Sequence, residues 1–325
     1  SVSRGLGDVY KRQAMGICGM LFIATRDYHI WQKKWWFAWV IYGGVIGLLL
    51  LTFAIGAASH GSQRWISIGP FSLQPSELAK IGIILFLAAY TSSKSREMRQ
   101  WKKMVIPFLF AIPIIVIVGI ENLSTCIILL AISFIMIFVA TPLLVPFVVI
   151  GLIGVAGAGG LLLTQGYRME RITVWLDPAA SEKGHQTIQG LYAIGSGGLF
   201  GKGLGQSMQK LGFLPEANND MIFSVICEEL GLFGALCVLA LFFALIWRFM
   251  VIAVNAPDLY GSMIVVGVIA HIGIQVFINI AVATNTIPNT GIPLPFISYG
   301  GSSLVFMLLE MGLVLSVSRY INVKK

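Results

Sequence analysis

Residues 221–247 read MIFSVICEELGLFGALCVLALFFALIW, an apolar run whose only charged members are the adjacent Glu228 and Glu229. About 20 residues, at about 1.5 Å of rise each, carry a helix across the hydrocarbon core of a bilayer, so this run is long enough to span one. A barrel strand would alternate polar and apolar residues. This run does not, which leaves a helix as its spanning form. Outward from it, comparable runs recur at roughly 13–25, 35–56, 76–92, 104–120, 123–140, 143–163, 259–283 and 302–318, about nine in all with the first one short. Over its 325 residues the chain is 57% hydrophobic and 11% charged, against about 25% charged in soluble domains. The pattern predicts an all-α polytopic membrane protein.

The net charge of +8 suits either nucleic acid or the excess of basic residues in cytoplasmic loops, and its distribution decides between them. Basic residues crowd three short segments: Arg26, Lys33 and Lys34; Lys94, Arg96, Arg99, Lys102 and Lys103; and Arg319, Lys324 and Lys325. These alternate correctly if 26–34, 93–103 and the C-terminus are cytoplasmic, which turns 57–75, 121–122, 164–220 and 284–301 outward. The long 164–220 segment also holds Arg168, Arg171, Lys183, Lys202 and Lys210, but long loops weigh little in this rule. The charge is therefore topological, and no nucleic-acid partner is expected.

Cys18, Cys126, Cys227 and Cys237 are isolated within or beside apolar runs, with no C-x-x-C pair, and read as packing residues. His29, His60, His185 and His271 are equally scattered, and no metal site is expected from either residue type. Residues 1–12 contain no apolar span, and the alternation puts Arg4, Lys11 and Arg12 on the outer side, against the charge rule. The expected organisation is a non-native or truncated segment at 1–12 and one transmembrane domain at 13–320. That domain includes a large extracytoplasmic loop at 164–220, and a cytoplasmic tail follows at 321–325.

An acidic, amide-rich loop, LPEANND (214–220), runs straight into the 221–247 helix. A carboxylate at the mouth of a span is costly and by default marks a functional site. Asp220, Ser224 and Cys227 share one helix face, while Glu228 lies about 80° round and about 12 Å deeper. Carboxylates that deep need partners or protonation, so Glu228 and Glu229 read as ties between helices. Asp220 sits at the water boundary, where it can stay ionised and act as a base.

Three outward segments hold most of the remaining polar chemistry. In GSQRWISIGPFSLQPSELAK (61–80), Arg64 and Trp65 lie in a Gly/Pro-punctuated loop ahead of a helix starting at Pro75. Glu77 and Lys80, three apart, share a face of that helix. An interfacial aromatic belt with a surface ion pair competes here with a cationic, aromatic rim for an anionic headgroup. In GSGGLFGKGLGQSMQK (195–210), glycines interleaved with Lys202 and Lys210 suit either a phosphate cradle or plain tight turns. Prolines and glycines in NTIPNTGIPLPFISYGGSS (285–303) forbid a continuous helix and predict a re-entrant loop closing over a cavity, against an exposed hairpin.

Together, GSQRWISIGPFSLQPSELAK (61–80), GLYAIGSGGLFGKGLGQSMQKLGFLPEANNDMIFSVICEELG (190–231) and NTGIPLPFISYGGSSL (289–304) resemble the SEDS family of bacterial cell-wall polymerases, FtsW, RodA and SpoVE, in order and spacing. The resemblance covers about residues 11–320, and GLGQSMQK, with only Leu211-Gly212-Phe213 between it and LPE, is closer to the division and sporulation branch. It implies a ten-helix fold, of which about nine are read here. The implied activity is polymerisation of lipid II, a disaccharide-pentapeptide on undecaprenyl pyrophosphate, into β-1,4 glycan strands. The family's essential aspartate falls at Asp220, and its Arg-Trp and Glu…Lys pairs fall at Arg64, Trp65, Glu77 and Lys80. Lys202, Glu216, Ser298 and Tyr299 in the matched motifs are further substrate-contact candidates. A divalent cation, Mg or Mn, would suit the pyrophosphate leaving group. The implied partners are a class B penicillin-binding protein transpeptidase and other divisome membrane proteins, and the implied location is the bacterial cytoplasmic membrane with the active site outward.

The chain departs from the family at two places. Asn218 and Asn219 stand where His-Thr often precedes the aspartate, and a common Pro-Asp-Leu-Gly-Thr motif appears as Glu121-Asn122-Leu123-Ser124-Thr125, without its carboxylate. Two other functions compete with polymerisation. A lipid II flippase would need polar residues through the midplane, whereas the sequence gathers them near the outer face. A non-catalytic division scaffold would tolerate substitution of Asp220.

Overall fold

The computed structural model describes residues 2–30, 35–55, 57–59, 62–68, 71–141, 145–163, 166–181, 184–299 and 301–321. Among the described residues the protein is all-α apart from three short strands. Among the described residues five helices are long and apolar enough to cross a membrane: Lys102–Glu121, Leu123–Ala140, Ile222–Asn255, Leu259–Ala283 and Gly301–Arg319. The chain divides into two compact units, one of Ser1–Ala156, Arg248–His271 and Gly301–Lys325, the other of Gly157–Trp247 and Ile272–Gly300.

The first unit opens with α1 (Val2–Thr25), which is helical through the residues that lack an apolar span, and α2 (Trp35–Ile55). Three antiparallel strands follow, β1 (Ala57–Ser59), β2 (Ser62–Ile68) and β3 (Phe71–Leu73). The segment expected to be a loop is thus two short hairpins, as the β-branched and aromatic run Trp65-Ile66-Ser67-Ile68 favours. Ala57 pairs with Trp65 but Ala58 with Gln63, so Arg64 is the extra residue at a bulge.

Helix α3 (Pro75–Ser93) begins where expected, with proline at a position whose missing N–H has no helical partner anyway. Helices α4 (Trp101–Glu121) and α5 (Leu123–Ala140) meet at Asn122. The Asn122 N–H closes α4 on Val118 O at 2.7 Å, and its Oδ1 accepts the Thr125 N–H at 3.2 Å. The amide that stands in place of a family carboxylate is therefore an N-cap. Helix α6 (Val145–Leu163) begins in this unit, and Arg248–His271 together with α11 (Gly301–Ser318) complete it.

Helices α1 and α11 pack side by side through glycines. A Cβ on Gly312 would lie 2.7 Å from Met20 O and 3.0 Å from Ile23 Cβ. Lipid chains are as apolar as leucine, so helices in a membrane associate by close backbone approach at small residues. Gly312→Leu is expected to cost at least the about 1–3 kcal/mol of an overpacked core, because the obstructing atom is backbone. A lower melting temperature of the purified protein, with Gly43→Leu as an open-space control, checks this.

In the second unit the 164–220 segment is not a structureless loop. It holds α7 (Gly166–Leu176) and α8 (His185–Ser196) before α9 (Ile222–Asn255). Helix α10 (Leu259–Ala283) then gives way to non-helical chain up to 299, as the prolines require. Helix α9 is broken at Gly231, at φ 67° and ψ −167°. There the glycine-rich segment docks backbone to backbone. Lys202 N and Gly203 N donate to Glu228 O and Glu229 O at 2.9 Å each, and Leu232 N and Phe233 N donate to Gly198 O and Leu199 O at 2.9 and 3.0 Å. A Cβ on Gly201 would lie 2.2 Å from Glu229 O, so glycine is what permits the approach.

Candidate functional site

Asp220 sits in the turn just ahead of α9, only 7% exposed. Its loop is strapped one carbonyl at a time. Asn218 O accepts from Tyr299 N at 2.8 Å, Asn219 O from Ser298 Oγ at 2.5 Å, and Asp220 O from Asn279 Nδ2 at 2.8 Å. The Ser298 hydroxyl also accepts the Leu294 N–H at 2.7 Å, and Asn279 Nδ2 donates to Ile292 O at 2.9 Å. The non-helical 285–299 segment, α10 and the acidic loop are thereby one hydrogen-bonded body. Two further ties come from α7, Arg171 Nη1 to Asn289 O and Trp175 Nε1 to Asn285 O, each at 3.0 Å.

The carboxylate faces Gln186 near the start of α8, whose Nε2 donates to Oδ1 at 3.3 Å and Oδ2 at 3.4 Å. Gly291, at φ 69°, lies so close that a Cβ there would be 4.0 Å from Oδ2. Burial pushes the carboxyl up to about 6, and Glu216 acts in the same direction. Backbone and Gln186 hydrogen bonds and the Arg171 charge oppose the rise. The folded carboxyl thus holds a proton up to about 6, while the unfolded one releases it near 3.8. Across that window the folded state binds more protons. The Asp220 contribution to stability therefore falls as pH rises through the window and is level above it.

Of the expected site residues, Asp220, Glu216, Ser298 and Tyr299 come together in this unit. Glu216 is exposed at φ 53°, and its carboxylate accepts from Asn219 Nδ2. Ser298 was expected to contact substrate, but its hydroxyl is engaged on both sides by the strap. Tyr299 contributes its N–H to the strap and leaves its ring 50% exposed. Lys202 is ion-paired to Glu228 at 2.7 Å. Glu228 also accepts from Ser207 Oγ at 2.5 Å and from Met208 N and Gln209 N at 3.3 Å each. Glu229 pairs with Lys210 at 2.6 Å, so both carboxylates are ties, but they hold the glycine-rich segment to α9 where a tie between helices was expected.

In the other unit Glu77 and Lys80 pair at 2.9 Å, but their side chains are only 9% and 2% exposed, which rules out a surface ion pair. The side chains of Arg64 and Trp65, Lys33 and Lys34, and the tail at 322–325 lie outside the described residues. Among the described residues no group of three or more His, Cys, Asp or Glu converges on a point that could hold a metal ion. The described residues do not fit a protein-made divalent site.

Gln186, Asn279 and Arg171 are site residues that no motif announces, although His271, Gln275 and Asn279 recur every fourth residue along an otherwise apolar helix. One expectation is corrected by the same stripe. His271 Nδ1 lies 2.8 Å from Glu310 Oε2, both fully buried near the middle of α10 and α11. Polar residues are therefore not confined to the ends of the long apolar helices.

The family described as "Cell cycle protein", FtsW/RodA/SpoVE, matches residues 10–323. The chain belongs to the FtsW/RodA/SpoVE family. Within it, Stage V sporulation protein E of Bacillus subtilis strain 168 is 44% identical over 320 residues, covering 95% of this chain and 87% of that protein. A protein of Geobacter sp. strain M18 named "Probable peptidoglycan glycosyltransferase FtsW" is 37% identical over 318 residues, covering 95% and 86%. These relatives place the chain in the FtsW/SpoVE branch of the family.

Two solved structures share the fold. One comes from a structure described as "Structural coordination of polymerization and crosslinking by a peptidoglycan synthase complex", with TM-score 0.80, 26% identity and coverage of 98% of this chain and 91% of that one. The other is a mutant of the rod shape determining protein RodA of Thermus thermophilus, with TM-score 0.71, 27% identity and coverage of 97% and 88%. In this FtsW/RodA/SpoVE member the unusual Asn218 and Asn219 supply the strap with backbone carbonyls, which any residue would provide.

Proposed function

We propose that this chain is a peptidoglycan glycosyltransferase that polymerises lipid II into β-1,4 glycan strands for division or sporulation septa. The reaction takes place on the outer face of the cytoplasmic membrane. The observation that carries the mechanism is the buried Asp220 carboxylate, on its strapped loop at the mouth of α9. The acceptor sugar's 4-hydroxyl gives its proton to Asp220 as its oxygen bonds to the donor's anomeric carbon. The bond from that carbon to the lipid pyrophosphate breaks, and the pyrophosphate leaves with the electron pair, inverting the configuration to β. General-base action of this kind contributes about 10²–10⁴-fold.

The family resemblance gives substrate-contact roles to Arg64, Trp65, Glu77, Lys80 and Glu216. Lys202, paired to Glu228, is assigned to holding the glycine-rich segment. The positive charge of 93–103 and the C-terminal segment supports a cytoplasmic position for those loops and an outward position for Asp220. A class B penicillin-binding protein transpeptidase and other division membrane proteins are the proposed partners.

The base must be ionised to act, so the rate at saturating lipid II is expected to fall about tenfold per pH unit below about 6. A pH profile of glycan synthesis by the purified protein checks this. The mid-length His271–Glu310 pair favours one second reading, translocation of lipid II, because ionisable residues inside a span mark pathways. Glycan strands formed from lipid II in detergent, with no membrane to cross, would eliminate pure translocation. Absence of product from protein supplied with its transpeptidase would eliminate polymerisation.

A further inference from the structure

We propose that Gln186 is a positioning residue for the transfer, its side-chain amide lying across both oxygens of Asp220 and fixing the direction from which they receive the acceptor's proton. The inference rests on the reading of Asp220 as the base.

Three observations carry it. First, Nε2 of Gln186 lies nearly equidistant from the two carboxylate oxygens, at 3.3 and 3.4 Å, so the amide bridges the fork and does not favour one oxygen. Second, the straps on Asn218, Asn219 and Asp220 all act on backbone carbonyls and fix the chain. They leave the carboxylate its own side-chain torsions, which a side-chain donor must restrain. Third, Gln186 stands on α8, which is built close against the Asp220 side of the unit. A Cβ on Gly190, one turn along, would lie 3.3 Å from Ser224 Oγ and 3.6 Å from Met221 Sδ. That close approach fixes the height of the helix, and with it the reach of the amide.

Among the described residues the charges that act on Asp220 are Glu216 in its own loop and Arg171 on α7. Asn279 of α10 and Gly291 of the non-helical segment bring no charge. Gln186 is thus a neutral donor to a carboxylate that also feels one acidic and one basic charge. It favours the ionised carboxylate without forming an ion pair that the reaction would have to break. During transfer the proton passes from the acceptor hydroxyl to one Asp220 oxygen, and the amide remains bonded to the other.

The test uses the full chain, purified with its transpeptidase partner, and lipid II as substrate. Initial rates of glycan formation are taken from pH 5 to 9 for wild type, Gln186→Leu, Gln186→Glu and Asp220→Asn. Removing the donor destabilises the ionised carboxylate, so the acid limb of Gln186→Leu should move upward by about one pH unit. Its rate should drop about twofold at pH 7 and about tenfold below pH 6, recover as the pH is raised, and leave KM for lipid II within about twofold. Gln186→Glu, which keeps the size and adds a like charge, should move the limb further in the same direction. It also keeps the question answerable if the leucine variant does not fold. Limbs superimposable on wild type in the variants that fold would overturn the role of Gln186. Wild-type rates for Asp220→Asn would instead overturn the base on which the proposal rests, so the two failures are distinguishable.

Discussion

Asp220→Asn is expected to lower the rate of lipid II polymerisation by about 10²–10⁴-fold while leaving the protein folded and at least as heat-stable as wild type. Asparagine is nearly isosteric with aspartate. The three hydrogen bonds that hold the loop end on the carbonyls of Asn218, Asn219 and Asp220, which the substitution leaves in place. Burial, the largest influence on the carboxyl, acts against its charged form. Removing that charge therefore relieves a cost of desolvation. A variant that is more stable and far less active is what a strained functional group predicts. A scaffold would lose neither property, and a misfolding variant would lose both. Glycan chain assays on purified lipid II, alongside thermal unfolding of the same preparation, separate these outcomes.

The amino-acid pattern reveals the spanning helices because a bilayer demands long apolar runs, and 221–247 needs no tertiary context to be recognised as one. The same logic exposes Asp220, since a carboxylate beside such a run has few bland explanations. Pairing is what stays hidden. Lys202 and Glu228 are 26 residues apart, and nothing in either residue type says that the lysine answers a buried carboxylate before it meets any phosphate. The helices within 164–220 are short and polar on one side, so they lack the signal that betrays a span. Ser298 shows a subtler failure. A serine in a Pro/Gly-rich loop reads as a ligand contact, yet its hydroxyl satisfies one buried backbone N–H and one carbonyl, as bent chain at a packed site requires. His271 and Glu310 look scattered along the chain because their meeting depends on how two helices are rotated, a property that lipid-facing and buried apolar residues specify only weakly.

The pair Glu77–Lys80 is where loss of stability and loss of activity should part company. Both side chains are buried and one carboxylate oxygen, Glu77 Oε2, has no hydrogen-bond partner among the described residues. Removing one member of a buried pair leaves the other charge uncompensated, so Lys80→Met and Glu77→Gln should each destabilise the protein by about 3–5 kcal/mol. The double variant removes both charges and should regain most of that loss, because a neutral pair of similar volume has little desolvation cost. Equilibrium unfolding of the four proteins closes this cycle. Activity should not follow the same course. If the unpartnered oxygen serves the substrate, as the family resemblance implies for Glu77 and Lys80, the double variant will fold and still polymerise lipid II at least about tenfold more slowly than wild type. Recovery of the wild-type rate with recovery of stability would make the pair a purely internal tie within α3. A buried ion pair is weak evidence for stability on its own, and a group left partly unsatisfied inside a membrane protein needs a reason to persist. Here the cycle decides whether that reason is the fold or the substrate.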